Sequence, residues 1–264
     1  MTGLTSTDQP AVVRFREGSP TRPLWIVLPG YLVCDTVESM LASVASRVKD
    51  ARETPSGQRL AEAHKAVGLD MQPVDQPVCT IESLVELAHQ AFQDALDACI
   101  KAAKDQGLSV EDGTLDLAGL DRDRPFLTAL GWLYGPQSSM VAHHDTPTFP
   151  GSKDEWLVSF NAGLTMNFEA DGEPLPLASG DVVVMDTLAV KHGVLGILPG
   201  TAPAECSLQD ARLGLLLWSS YNPDPKARAT LAADEGAAAE GLSNLFPDSS
   251  DDDDDDDEGN NNDE

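Results

Sequence analysis

The chain has few basic residues for its length. Seventeen Lys and Arg stand against 44 Asp and Glu in 264 residues, and the formal net charge at pH 7 is −27. Eleven of the acids follow Pro247 with no base among them, and subtracting their charge from −27 leaves −16 on the first 247 residues. Proteins that bind nucleic acid draw most of their non-specific affinity from Lys and Arg on phosphates. The bulk charge therefore opposes a polyanionic partner, although a local basic patch is compatible with it.

Long apolar runs and patterned cysteines are also missing. No stretch approaches the roughly 18 apolar residues of a membrane span, and the N-terminus has no basic segment followed by an apolar one. The four cysteines show no Cys-x-x-Cys spacing, which argues against a zinc site and a disulfide framework. We expect a monomer inside the cell, in the cytoplasm or nucleus, with no membrane partner.

What is present suffices for one folded domain with appendages. With 41% apolar residues the chain can bury a sizeable core. Residues 1–22 mix Ser, Thr, Pro and charges without a period, and we predict a flexible N-terminal arm there. Residues 23–221 form the predicted domain. Residues 222–264 end in polyaspartate and lack the apolar area to offset the entropy of ordering, so we predict a disordered acidic tail.

Two helical patterns precede a series of strand-like segments. Asp35 begins the first helix, and Glu38 three residues later completes a capping box. The second helix is predicted over about 81–105, with an apolar stripe that repeats every four residues from Leu84 to Ile100. This order of helices and strands indicates an α+β fold whose strands form a sandwich or barrel. The predicted strands are 24–28, 126–134, 139–145, 156–162, 164–169, 182–187, 193–198 and 211–219.

The stretch GWLYGPQSSMVAHHD, residues 131–145, places a histidine and a carboxylate two residues apart at the end of a predicted strand. Side chains i and i+2 of a strand share a face, so His143 and Asp145 point to one side while His144 points to the other. A third ligand must come from elsewhere, and the candidate is His192, which follows another strand-like run. Two histidines and one carboxylate that leave one side of a metal open are the ligand set of a non-heme Fe(II) oxygenase.

Two further residues extend this pattern. Arg212 heads the apolar strand RLGLLLW, 20 residues after His192, and a planar guanidinium in such a strand suits a carboxylate partner. Tyr134 lies nine residues before His143. With its His-x-Asp pair, distal histidine and arginine-headed last strand, the sequence resembles the AlkB branch of the Fe(II)/2-oxoglutarate dioxygenases over roughly residues 127–219.

The resemblance implies a fold and a set of roles. The fold is a double-stranded β-helix, or jelly roll, with the two N-terminal helices packed on one sheet. His143, Asp145 and His192 would bind Fe(II) and act in catalysis. Tyr134 and Arg212 would bind 2-oxoglutarate as co-substrate, with O2 as the second co-substrate.

The sequence departs from the AlkB pattern at three positions. Trp218 stands where a second arginine is expected, Gly214 where an asparagine follows the first arginine, and Trp132 where an asparagine precedes the tyrosine. These positions concern co-substrate contacts and the floor of the substrate pocket. We predict that Trp132 and Trp218 line the substrate pocket.

Three functions stay open at this point. The resemblance implies an oxidative demethylase of N-methylated nucleobases in DNA or RNA, which hydroxylates a methyl group and releases formaldehyde. The acidic body and the departures from the pattern favour a dioxygenase that hydroxylates a protein or small molecule. The third is a non-catalytic scaffold of the same fold. Methylated nucleic acid is thus one expected partner, opposed by the net charge, and a basic protein bound by the acidic tail is another.

Overall fold

The structure, a computed structural model, describes two helices and eleven strands. The helices are α1 (Cys34–Glu53) and α2 (Glu82–Asp105), and neither combines the length and apolar character needed to cross a membrane. The strands are β1 (Val12–Phe15), β2 (Pro23–Leu28), β3 (Lys65–Val67), β4 (Thr128–Tyr134), β5 (Met140–His143), β6 (Glu155–Gly163), β7 (Thr165–Ala170), β8 (Glu173–Leu177), β9 (Val182–Asp186), β10 (His192–Leu198) and β11 (Arg212–Ser220). The described residues are 9–18, 21–53, 65–67, 82–117, 120, 126, 128–147, 152 and 154–220, so the predicted acidic tail lies outside them.

The strands form two antiparallel sheets. The large sheet has seven strands in the order β1-β2-β9-β6-β11-β4-β3, and the small sheet has four in the order β5-β10-β7-β8. Every pairing between the described strands is antiparallel. Two helices with two antiparallel sheets fit a jelly roll, in agreement with the α+β fold predicted from the sequence.

Alternation of side chains along the large sheet separates two cores. On β11, Leu213, Leu215 and Leu217 belong to the core shared with the helices, whereas Leu216 and Trp218 pack in the core between the two sheets. Full burial of one leucine side chain contributes roughly 1.5–3 kcal/mol. A slip of one residue would turn every one of these side chains to the wrong face, so burial fixes the register of β11. The even-numbered positions of this strand therefore face the inter-sheet space.

Helix α2 buries one face against the large sheet. Its predicted stripe residues Leu84, Ala88, Phe92 and Leu96 are buried in the core shared with the strands. Ile100, the predicted next member of the stripe, is exposed. Each step of four residues overshoots a full turn by about 40°. After four steps this drift has turned Ile100 away from the sheet.

Three strands go beyond the sequence prediction, and each lies at a sheet edge. β1 and β3 are the two edges of the large sheet, and β8 is an edge of the small one. An edge strand pairs on one side only and needs no apolar run. β8 even contains Pro174 and Pro176, which sheets tolerate mainly at their edges. The prediction of a flexible arm over residues 1–22 is wrong at Val12–Phe15, because these residues pair with β2.

Candidate metal centre

Two neighbouring strands of the small sheet bring the predicted histidine ligands together. His143 is the last residue of β5, His192 is the first of β10, and the two are partners in the antiparallel register. Gly193 permits this close pairing, since a Cβ at that position would lie 2.8 Å from the Cα of Ala142 and 2.8 Å from the carbonyl oxygen of Met140. A side chain at position 193 would push the strands apart and separate the two histidines.

Asp145 lies two residues beyond the end of β5 and faces both histidines. Its Oδ1 is 3.4 Å from Nε2 of His143 and 3.5 Å from Nε2 of His192. One ligand atom from each of the three residues lies within 4.8 Å of the others, a grouping that no other set of His, Cys, Asp or Glu among the described residues forms. The side chain of His143 is 40% exposed, against 12% for Asp145 and 6% for His192, so the site opens to solvent on the His143 side. His144 is exposed, consistent with its predicted outward direction.

Backbone groups orient all three ligands. Nδ1 of His143 lies 2.9 Å from the carbonyl oxygen of Val141, and Nδ1 of His192 lies 3.1 Å from that of Val190. When Nδ1 carries the hydrogen and donates it to these carbonyls, Nε2 of each ring keeps its lone pair for a metal. The backbone N–H of Asp145 donates to the carbonyl oxygen of Thr187 at 3.2 Å, which anchors the loop after β5.

The ligands shift one another's pKa values. Burial raises the pKa of Asp145, but the hydrogen bond with His143, the charge on His192 and a hydrogen bond from Trp218 outweigh it and hold the pKa below its ordinary value. The hydrogen bond with Asp145 raises the pKa of His143, whereas burial lowers the pKa of His192. Asp145 is therefore ionised at neutral pH. Its negative charge attracts a cation, which is either a proton on His143 or a metal in its place.

Arg212, at the start of β11, is completely buried and faces the same inter-sheet space. Its Nη1 donates to the carbonyl oxygens of Leu164 and Leu177 at 3.1 and 2.9 Å, and its Nη2 donates to Oδ1 of Asn161. Burial lowers the pKa of Arg212 to about 10, which leaves the guanidinium charged at neutral pH. Tyr134 is its partner in the register between β4 and β11. Burial raises the pKa of Tyr134, and the charge of Arg212 acts in the opposite direction.

Comparisons with known proteins find similarity in fold rather than in sequence. No protein-family model matches the chain, and no curated protein sequence matches it. The structure of OsALKBH1 matches with a TM-score of 0.50 at 20% sequence identity, covering 73% of this chain and 96% of that one. The chain has an AlkB-like fold. The family resemblance is thus confirmed at the level of the fold.

Two further solved structures match the chain with lower TM-scores. A prolyl-4-hydroxylase from Pseudomonas putida has a TM-score of 0.39 at 19% identity and covers 75% of this chain and 92% of its own. An oxidoreductase of the 2OG-Fe(II) oxygenase family from Burkholderia pseudomallei has a TM-score of 0.40 at 14% identity and covers 75% of this chain and 85% of its own.

Trp218, the first departure from the AlkB pattern, lies beside the candidate metal ligands. Its indole Nε1 donates to Oδ2 of Asp145 at 3.1 Å. The side chain also packs partly buried against the inter-sheet core. Its role in a substrate pocket stays a prediction. The contact with Asp145 joins residues 73 positions apart, and no local pattern in the sequence indicates it.

Trp132, the other predicted pocket residue, is buried in the inter-sheet core. It is the register partner of Gly214, which lies four residues before Trp218 on β11. Four residues of antiparallel strand span about 13 Å, so the backbone at Trp132 and the backbone at Trp218 lie that far apart along the sheet. Its role in a substrate pocket also stays a prediction.

Asn161 and Ser159 on β6 were not among the predicted site residues. The carboxamide Nδ2 of Asn161 donates to the carbonyl oxygen of Asp181 at 2.9 Å, while its Oδ1 accepts from Arg212. Asn161 thus holds the guanidinium from a strand next to β11. The signal was present as two polar residues two positions apart in the otherwise apolar segment WLVSFNAG, because such residues share one face of a strand.

Proposed function

We propose that this protein is an Fe(II)/2-oxoglutarate-dependent dioxygenase, an oxidoreductase that hydroxylates a C–H bond. One observation carries the proposal. An anionic triad that suits a cation and a buried guanidinium that suits an anion share one inter-sheet space of an AlkB-like fold. We further infer that the two sheets are those of a double-stranded β-helix.

The residues fit a divalent metal in donor type and spacing. Two ligand atoms at right angles around a metal, each roughly 2.1 Å from it, lie about 3 Å apart. Oδ1 of Asp145 is 3.4 and 3.5 Å from the two histidine Nε2 atoms, so a small inward movement would bring all three onto one ion. Two imidazoles and one carboxylate on one side leave further coordination positions open, as Fe(II) oxygenases require.

The surroundings of Arg212 fit one carboxylate of 2-oxoglutarate. The guanidinium donates to three neutral oxygens, and its Nε is buried without a hydrogen-bond partner. Asp181 acts on its charge only from a distance, because that carboxylate accepts from the backbone N–H groups of Gly30 and Ala178. Leaving a buried charge unpaired costs of the order of several kcal/mol. The guanidinium therefore suits one carboxylate of a dicarboxylic acid whose other end binds the metal.

The protein contributes binding and orientation to the chemistry. When bound, Fe(II) with 2-oxoglutarate and O2 supplies the oxidising power for hydroxylation. His143 and His192 present their Nε2 atoms, and Asp145 presents Oδ1. The buried walls of the inter-sheet core keep water from the Arg212 side. A substrate would approach from the exposed side of His143.

Succinate release tests the reaction. Protein stripped of metal by a chelator should release no succinate from 2-oxoglutarate, and added Fe(II) should restore the release. Protein that binds iron and 2-oxoglutarate but forms no succinate with any substrate would favour the non-catalytic scaffold instead.

For the substrate, we infer an N-methylated nucleobase in DNA or RNA, which the enzyme would demethylate oxidatively. The AlkB-like fold and the flat indole of Trp218 beside the metal ligands support this choice. The net charge of −27 and the tryptophan in place of a second arginine favour the second candidate, a protein or small molecule.

Methylated DNA, RNA and protein should be compared at equal concentration, with formaldehyde release and loss of the methyl group by mass spectrometry as readouts. Hydroxylated protein with unchanged oligonucleotides would contradict the demethylase.

A further inference from the structure

The two oxygens of the Asp145 carboxylate have different surroundings. Oδ1 faces Nε2 of His143 and Nε2 of His192. Oδ2 accepts a hydrogen bond from the indole Nε1 of Trp218 at 3.1 Å. One carboxylate oxygen, Oδ1, therefore faces the two histidines, and the other, Oδ2, is hydrogen-bonded to a residue outside the triad.

We propose that Trp218 is a positioning residue of the metal centre. Its indole N–H holds Oδ2, so that Asp145 binds the metal through Oδ1 alone. This inference rests on the proposed metal site and adds to it a partner that sets the direction of the acidic ligand.

The surroundings of Trp218 make it a firm support. It projects from β11, an interior strand of the large sheet with β6 on one side and β4 on the other. Its ring packs in the inter-sheet core, and a tryptophan side chain has only two torsions to order. Asp145, by contrast, lies on the loop after β5, tied through its backbone N–H to Thr187. Without Trp218, the carboxylate could turn about its own torsions and offer the metal either oxygen or both.

The indole also differs from the arginine that the AlkB pattern has at this place. A guanidinium donating to Oδ2 would bring a positive charge next to the metal ligand, and that charge would repel a divalent cation. The indole N–H is a neutral donor. It orients the carboxylate and leaves the full negative charge of Asp145 to the metal.

Trp25 provides a matched control. Register pairs link Trp218 to Leu157, Leu157 to Met185 and Met185 to Trp25, so both tryptophans lie in one row across the large sheet. Both pack in the inter-sheet core, but Nε1 of Trp25 is buried without a hydrogen-bond partner. Replacing either tryptophan by phenylalanine removes an indole from the same row and core. Only the substitution at position 218 removes a donor to a metal ligand.

The test measures the dissociation constant for Co(II) by absorption titration of the metal-free full-length protein. Loss of an outer partner of a metal ligand weakens binding about 10- to 100-fold, so Trp218→Phe should raise the constant by at least about tenfold, whereas Trp25→Phe should change it less than about twofold. Melting temperatures of the metal-free variants verify that both fold. A Trp218→Phe protein that binds Co(II) as tightly as the unchanged protein would overturn the inference and leave the metal site standing. Unchanged protein that binds no Co(II) would overturn both.

A second measurement needs no folded variant at position 218. In protein labelled with ¹⁵N at the four tryptophan indoles, Zn(II) should shift one indole N–H resonance strongly, because its acceptor gives up charge to the metal. That resonance should persist in Trp25→Phe. Four indole resonances that stay in place while Zn(II) binds would contradict the inference.

Discussion

The metal end and the arginine end of the inter-sheet space are opposites in charge and in exposure. At the metal end an ionised carboxylate stands between two imidazoles, and the side chain of His143 is 40% exposed. At the arginine end a fully buried cation donates only to neutral oxygens and keeps a partnerless Nε. One end attracts a cation that solvent can deliver, and the other retains an unmatched positive charge in a dry setting.

The difference shows how each end is kept ready for a ligand. The metal end satisfies its charge within itself, since Asp145 can accept from His143 until a metal displaces the proton. The arginine end has no such internal counter-charge at ion-pair distance among the described residues, and it is held by carbonyl oxygens and Asn161 instead. We therefore expect substitutions at the two ends to affect different constants.

The largest effect should follow loss of a metal ligand. Replacing His143, Asp145 or His192 by alanine should weaken iron binding more than about a hundredfold, beyond the 10- to 100-fold typical of an outer partner, and should abolish nearly all succinate release. Iron content after gel filtration and a succinate assay measure both. The control is His144→Ala, which removes an exposed neighbour and should have a mild effect. A His192→Ala protein with stoichiometric iron and full turnover would show that the ligand assignment is wrong.

At the other end, Arg212→Met should raise the KM for 2-oxoglutarate about ten- to a hundredfold, because a charge-assisted contact contributes roughly 1.5–3 kcal/mol. Iron binding should stay within about twofold of the unchanged protein. Arg212 makes no hydrogen bond to a residue of the triad, and losses of about 10- to 100-fold are typical only of residues that do. Arg52→Met is the matched control, as Arg52 is a partly exposed arginine paired with Asp210 on the surface. An unchanged KM would separate Arg212 from the co-substrate site.

Acid should act on the metal end alone. The pKa of His143 lies above its ordinary value of 6.5 in the metal-free protein, so a proton competes with the metal at pH values below that raised pKa. Metal affinity should fall about tenfold per pH unit there, one proton being displaced per ion. The effect of pH on the part of the metal-free protein's stability that comes from His143 runs in the opposite direction. The contribution of His143 is fully present below pH 6.5 and is lost as the pH rises through the raised pKa.

Calorimetric metal titrations at several pH values measure this dependence. Melting of the metal-free protein and of its His143→Ala variant over the same range isolates the contribution of His143, because the lowered pKa of His192 acts in the opposite direction. The ordinary pKa of histidine is about 6.5, so pH values from about 5 to about 8 span its titration. A metal affinity that stays constant over that range would contradict a histidine-bound site.

A smaller change should follow restoration of the missing arginine. Trp218→Arg keeps a donor to Asp145 but adds a positive charge, so the dissociation constant for metal should rise and the KM for 2-oxoglutarate should fall, each by a few fold. Trp218→Gln, a neutral donor, is the control and should not lower the KM. If both constants move in the same direction for Trp218→Arg, the charge added at this position does not distinguish the two ligands.

The smallest effect on either end should come from the acidic tail. A chain that ends at Pro247 should keep the same melting temperature, iron content and KM for 2-oxoglutarate. It should bind oligonucleotides more tightly at low salt, because eleven negative charges are gone, and the difference should fade as salt screens them. Equal oligonucleotide affinities at low salt would dispose of competition by the tail.

Local pattern was sufficient for most of the fold. β6, β9 and β11 lie in the interior of the large sheet and are buried on both faces, so their sequences are runs of mainly apolar residues. These runs predicted the three strands close to their observed bounds. β1, β3 and β8 were not predicted, because an edge strand pairs on one side only and can be polar or contain proline. Their existence depends on a neighbouring strand rather than on their own residues.

The sequence by itself determined which chemical groups are available to this protein. His-x-Asp at a strand end places two potential metal-binding side chains on one face of that strand, and alternation along β11 places Arg212 and Trp218 on a common face of β11. Tertiary structure alone decided which of these groups meet. The pairing of β5 with β10 brings His192 to His143, and the pairing of β6 with β11 brings the amide of Asn161 to Arg212. The stacking of the two sheets brings the indole of Trp218 to Asp145. These contacts join residues that are far apart in the chain, and no local sequence pattern relates them. Only the pairing of the strands and the packing of the sheets can specify them.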